Sequence, residues 1–251
     1  MNTQSVFKIV AVGVMTMTGM SLAADDSWTG KTDMPTARFG VTTSVVDGRI
    51  YAIGGGVLRG VMVGNVQAYD PATDSWVAKA SMPADTCFHS TSAVDGKIYA
   101  IGGWAPGGDG IDPVVEYDPA TDTWRARAEM PTPRKFLSTS AVNGKIYAIG
   151  GSEFTPALGT VEEYDPNTNT WTTKTDMPTP RILMSTSVVD GIIYAIGGAL
   201  SEHTEDSTVE AYDPATDTWT TKASMPTARA FFSTSVLNGK IYAIGGCLGN
   251  Y

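Results

Sequence analysis

A period of about 48 residues runs through the chain and limits what it can fold into. Gly-Gly pairs stand at Gly54-Gly55, Gly102-Gly103, Gly150-Gly151, Gly197-Gly198 and Gly245-Gly246, spaced 48, 48, 47 and 48 residues apart. Trp28, Trp76, Trp124, Trp171 and Trp219 keep the same spacing. Tyr69, Tyr117, Tyr164 and Tyr212 each precede a tryptophan by seven residues. Five of six Trp and nine of ten Tyr occupy repeat positions, so little aromatic material remains for a unique site. Self-similarity of this kind marks an array of like supersecondary units, each needing its neighbours to bury its faces.

Each unit predicts four short strands. In the first, residues 42–46 form a small-residue strand that ends at Asp47-Gly48, a two-residue hairpin signal for a type I′ turn. The turn recurs at Asp95-Gly96, Asn143-Gly144, Asp190-Gly191 and Asn238-Gly239. Ile50-Tyr51-Ala52-Ile53 returns, apolar throughout, so both of its faces must be covered. A variable loop follows Gly54-Gly55, then a third strand at 66–69, an Asp70-Pro71 turn, and a fourth strand from Trp76 to the Met82-Pro83 turn. Small residues on the first strand and bulky ones outside make a wedge, and wedges set radially make a β-propeller. The expected fold is all-β, a propeller of four-stranded antiparallel blades, about five in this chain. Its units are 35–82, 83–130, 131–177 and 178–225, with a partial blade from 226–251 plus 28–34. The repeated Gly, Tyr and Trp are assigned to packing.

The Gly-Gly after Ile-Tyr-Ala-Ile, the later Tyr and Trp, and the Met-Pro-Thr-Ala-Arg turn resemble kelch-repeat proteins, from Trp28 to Gly246. Kelch-like propellers commonly close by pairing an N-terminal strand into the last blade. Here that blade lacks its third strand. The chain is either a five-bladed ring with a defective closing blade or part of a six- or seven-bladed one; an unclosed edge, an aggregation hazard, favours the second.

Residues 1–23 read as a secretory signal peptide. Lys8 precedes an apolar run from Ile9 to about Met20, and Ser21-Leu22-Ala23 supplies small residues for cleavage. The run is shorter than the roughly 20 residues of a membrane span. The expected product is periplasmic or extracellular, residues 24–251, with no stable membrane insertion after cleavage. A net charge of -9 argues against nucleic acid as partner. Two Cys and two His supply neither a disulfide framework nor a multi-histidine metal site, and no cofactor is expected. Cys87 and Cys247, in non-neighbouring units, read as free thiols, or as partners of residues beyond a truncated chain.

Differences between units mark candidate site positions. After the Met-Pro turn stand Phe39, Cys87, Lys135, Ile182 and Ala230; two residues on stand Val41, His89, Leu137, Met184 and Phe232. The resemblance puts these near the axial channel, with the variable loops 56–65, 104–113, 152–160 and 199–208 opening on the same face. Varied loops on a rigid scaffold suit ligand binding. Arg38, Arg134, Arg181 and Arg229 recur at one turn position, with Thr86 in the second unit. They form either a cationic ring for carboxylates or acidic sugars, or structural pairs, which recurrence favours. Kelch proteins that bind acidic peptides use arginines on this face. Trp104, outside the repeat, suits sugar stacking. Glu202-His203-Thr204-Glu205-Asp206 and the loop at 107–112 are weak cation candidates and read as solvated loops.

These residues predict a secreted binding or scaffold module whose protein or glycan ligand, anionic if the arginines take part, meets Arg38, Phe39, Trp104, Arg134, Lys135, Arg181 and Arg229. No Ser/His/Asp or Cys/His constellation is legible. The resemblance also admits a carbohydrate-active enzyme of the sialic-acid mutarotase type, with Glu153, Glu202 or Glu205 beside an arginine as acid/base. A galactose-oxidase-like copper site, needing two His, two Tyr and a Cys–Tyr crosslink, cannot be assembled.

Overall fold

The computed structural model describes residues 29–247, apart from 58–59, 107–112, 155 and 202–203. The leader-like segment, Trp28, Glu202, His203 and the 107–112 loop lie outside the described residues. Four four-stranded antiparallel sheets follow one another with the same up-and-down topology. The first consists of Thr42–Val46, Arg49–Ile53, Val66–Asp70 and Ser75–Lys79, and the second of Ser90–Val94, Lys97–Ile101, Val114–Asp118 and Thr123–Ala126. The third is Ser138–Val142, Lys145–Ile149, Val161–Asp165 and Thr170–Lys174, and the fourth Ser185–Val189, Ile192–Ile196, Val209–Asp213 and Thr218–Lys222. A two-stranded pair, Ala230–Leu237 with Lys240–Cys247, follows them. The expected Asp-Gly and Asn-Gly turns have positive φ at both residues, as at Asp47 (49°) and Gly48 (72°), the type I′ geometry.

The first strands of successive sheets pack side by side around an axis. Their Ser-Thr-Ser sequences explain how. Ser90 and Ser92 of the second blade both hydrogen-bond Thr139 of the third (2.9 and 2.8 Å). Ser138 and Ser140 bond Thr186 likewise, and Ser185 and Ser187 bond Thr234. Hydroxyls thus join the inner strands where backbone ladders cannot.

The rim is tied by the Tyr and Trp repeat. Tyr117 Oη donates to Asp122 (2.6 Å), whose other bond is from Ala80 N of the preceding unit (2.9 Å). Trp124 Nε1 donates to Ala80 O (2.8 Å). The pattern repeats with Tyr164–Asn169–Ala128–Trp171 and Tyr212–Asp217–Thr175–Trp219. In the first blade Thr32 fills the same role for Asp74 and Trp76. The segment before the first blade therefore ends where an earlier blade's fourth strand would. The tyrosines are fully buried between blades, and the tryptophans half-buried over them.

Among the described residues the ring is open between the terminal pair and the first blade. Ala230–Leu237 packs against Ser185–Val189, but no comparable packing joins it to Thr42–Val46. Both sides of this gap are apolar and exposed: Val45 on one, Tyr242 and Ile244 on the other.

Candidate functional site at the channel mouth

The recurring arginines turn into the blades, not the channel. Arg134 is 0% exposed. Its Nη1 donates to Gly150 O (3.1 Å) and Thr160 O (2.7 Å), and its Nη2 to Glu162 Oε2 (2.7 Å). Arg181 does the same with Gly197 O, Thr208 O and Glu210. Arg38 does so with Gly54 O and Asn65 O, with the Gln67 side-chain carbonyl in place of a carboxylate (3.0 Å). Each guanidinium pins the Gly-Gly turn to the third strand of its own blade. Burial lowers the pKa of Arg134 and Arg181, against which Glu162 and Glu210 act. Burying one of these charges is tolerable because both Nη groups are bonded.

Of the two readings of the recurring arginines, these contacts are those of the structural pairs and not of a cationic ring. Arg38, Arg134 and Arg181 have both Nη groups taken by carbonyls and side chains of the blade, and the Nε of Arg38 and Arg134, though unpartnered, is buried and not turned to the channel. Arg229 is partly exposed and Nη1 donates to Gly245 O (2.7 Å); among the described residues no third strand joins this pair to bring up a carboxylate. In the second blade Thr86 replaces the arginine and Val115 the glutamate, so charge and countercharge vanish together.

Phe39, Trp104 and Lys135, by contrast, are gathered at one end of the axis around Phe88. The Phe88 ring lies 6.1 Å from Phe39, 6.1 Å from Trp104 in a stacked pose, and 4.8 Å from Phe136. It also meets Phe231 of the terminal pair at 6.4 Å, across the axis from the second blade. Lys135 Nζ sits 4.8 Å above the Trp104 ring and 5.7 Å from that of Phe136. Trp104 and Lys135 belong to neighbouring blades. Each is fixed by an isolated bridge, Cys87 with Trp104 and Lys135 with Ser152, that joins the start of the inner strand to the residue after Gly-Gly.

The backbone explains why these rings converge. Gly40, Phe88, Phe136, Leu183 and Phe231 all have φ between 54° and 59°. Their peptides form a chain around the mouth: Phe88 N to Gly40 O, Phe136 N to Phe88 O, Leu183 N to Phe136 O and Phe231 N to Leu183 O. Positive φ at a bulky residue costs about 1–3 kcal/mol and is held here by the blade-to-blade bonds. This position lies between the two sets of residues that the differences between units single out. Its signal was phenylalanine at 88, 136 and 231.

The remaining candidates serve packing. Cys87, Ile182 and Ala230 are buried, and burial pushes the Cys87 thiol up to about 11. Cys87 and Cys247 are both free thiols. His89, Leu137, Met184 and Phe232 cover the Gly-Gly pair of the preceding blade; a Cβ on Gly54 would lie 2.6 Å from His89 Cε1, and one on Gly150 2.5 Å from Met184 Cε. Variation at that position reflects how each blade fills this contact. His89 shares a hydrogen bond with the Thr42 hydroxyl (2.9 Å), and burial brings its pKa down to about 4. Glu153 is exposed and Glu205 sits in the short strand Thr204–Glu205, half-buried.

The architecture is matched by known proteins. The family model described as Attractin/LZTR1 beta-propeller matches residues 23–251. A solved structure, that of YjhT, superposes with a TM-score of 0.79 over 89% of this chain and 82% of that one, at 19% identity. No curated protein sequence matches significantly.

Proposed function

This chain belongs to the attractin/LZTR1 β-propeller family, and on that premise we propose that it is an exported binding module. Its protein or glycan ligand rests on the aromatic mouth of the channel. The observation that carries this reading is Lys135 poised over Trp104, with Phe88 stacked alongside. Apolar ring faces beside one ammonium fit a ligand with a flat or apolar face and a carboxylate, such as an acidic sugar or an acidic peptide. Because the chain is acidic as a whole, attraction for an anion is local to this lysine. The leader-like residues 1–23 support export.

The test is a titration of the full chain with N-acetylneuraminic acid, neutral N-acetylhexosamines and an oligoglutamate peptide. Lys135→Ala should weaken carboxylated probes about tenfold or more and leave neutral ones alone. Trp104→Ala should weaken every probe that binds. Binding indifferent to both changes would remove the mouth from consideration. Following anomer exchange by NMR in the same samples separates binding from the mutarotase reading.

A further inference from the structure

The second blade has a cavity where its neighbours have an arginine. It measures about 100 Å³ and is lined by Met82, Pro83, Thr86, Gly102, Pro113 and Val115, among others. Thr86 and Val115 occupy the register positions of Arg134 and Glu162 in the third blade and Arg181 and Glu210 in the fourth. The rest of the arginine's cradle is retained. Gly102 and Pro113 correspond to Gly150 and Thr160, whose carbonyls accept from Arg134, and Ala100 to Ala148, which does so at 3.4 Å. Met82 corresponds to Met130, whose sulfur accepts from the same guanidinium. The Gly102 N to Pro113 O bond holds this turn in the register seen in the other blades. The second blade therefore keeps the backbone positions whose carbonyls hold an arginine in the other blades, around a mainly apolar pocket, with the side chain that would fill it removed.

Blade 1 shows that such a cradle holds a guanidinium without a carboxylate. Arg38 is bound by Gly54 O, Asn65 O, Ala52 O and the Gln67 amide carbonyl, with the Met34 sulfur beside it, and makes no ion pair among the described residues. Carbonyls at the positions that hold a guanidinium elsewhere, apolar walls and no cation of its own fit a planar N–H donor on a short apolar stem.

We propose that this cavity is a binding site for a small free alkylguanidinium compound, entering past the exposed rim residues Pro83 and Ala84. The group takes the place that Arg38, Arg134 and Arg181 fill in the other blades. The cavity adjoins the mouth through Thr86, whose hydroxyl donates to Trp104 O (3.2 Å), but its ligand is read by N–H donors and not by Lys135 or the ring faces, so the two readings are tested by different probes.

The experiment is an NMR titration of the full chain with ethylguanidinium at millimolar concentration, with neutral ethylurea as the isosteric control. Saturable shifts at Ala100, Gly102 and Val115 with ethylguanidinium, absent with ethylurea, are expected. Val115→Glu should tighten binding at least tenfold by restoring the countercharge. Val115→Gln copies Gln67 and keeps the test open if the buried carboxylate prevents folding; it should tighten binding several-fold. Thr86→Arg should abolish binding by filling the pocket from within. No saturable response, equal response to ethylurea, or undiminished binding by Thr86→Arg would overturn the proposal. Titration with Gly-Arg-Gly separates sources of the group. Weaker binding than ethylguanidinium supports a free compound, and tighter binding would overturn that assignment in favour of a partner's arginine.

Discussion

Lys145–Ile149 and the first five residues of Lys240–Cys247 have the same sequence, Lys-Ile-Tyr-Ala-Ile, and opposite environments. In the third blade Tyr147 and Ile149 are 3% and 0% exposed; in the terminal pair Tyr242 and Ile244 are 46% and 64% exposed. Local pairing does not differ, since both strands return from an Asn-Gly hairpin onto a Ser-Thr-Ser strand. What differs is the neighbour. The third strand that covers Lys145–Ile149, and the next blade that covers its face, have no counterpart beside Lys240–Cys247 among the described residues. Burial in this fold is a property of stacking, and the repeat supplies only the surface to be stacked.

The comparison breaks most sharply at the arginines. Arg134→Ala strands the Glu162 carboxylate in a dry site and should cost about 3–5 kcal/mol. Arg229→Ala, in the terminal pair, should cost no more than about 0.5 kcal/mol. Adding Glu162→Val to Arg134→Thr copies Thr86 and Val115 and should recover much of the loss. Urea midpoints of the four proteins check this, and equal losses at 134 and 229 would show that the terminal pair is covered in solution. Ile149→Ala should then cost roughly 2–5 kcal/mol, against a change within about 0.5 kcal/mol for Ile244→Ala.

The blade was legible in the sequence because its parts are short-range and periodic: Asp-Gly turns, an apolar return strand, a Tyr and Trp seven residues apart. The arginine was harder to place. Arg134 and Glu162 are 28 residues apart, and only the covarying loss of both in the second unit, as Thr86 and Val115, betrays the pair. The mouth was half legible. Trp104 and Lys135 stood out as departures from the repeat, whereas Phe88 and Phe136 owe their position to a positive φ that no residue preference announces, since phenylalanine rarely adopts it.

His89 extends the comparison to pH. Leu137 fills the corresponding contact in the third blade with a group that cannot ionise, whereas His89 must stay neutral there. Its pKa is about 4 in the folded chain and about 6.5 when exposed. Protons therefore favour the unfolded chain. Its full contribution to stability is present above about pH 6.5 and is lost as pH falls toward 4, by on the order of 3 kcal/mol. His89→Leu should flatten stability across that window. A wild-type profile already flat between pH 6.5 and 4 would mean that the imidazole reaches water.

The smallest contrast concerns the tyrosine hydroxyls, and it orders three like substitutions. Tyr117 donates to the Asp122 carboxylate, which its hydrogen bond holds below the usual range. A bond to a charged acceptor is worth about 1.5–3 kcal/mol, so Tyr117→Phe should cost that much. Tyr164 makes the same contact with neutral Asn169 at 2.7 Å. There Asn169 keeps its second bond, from Ala128 N at 2.8 Å, and the acceptor is not orphaned when the hydroxyl goes. Tyr164→Phe should therefore cost only about 1 kcal/mol. Tyr242 is half exposed in the terminal pair, and Tyr242→Phe should leave the urea midpoint where it was. If the first two losses are equal, the carboxylate is screened by water at the rim and the hydroxyl bonds of all blades are of one strength.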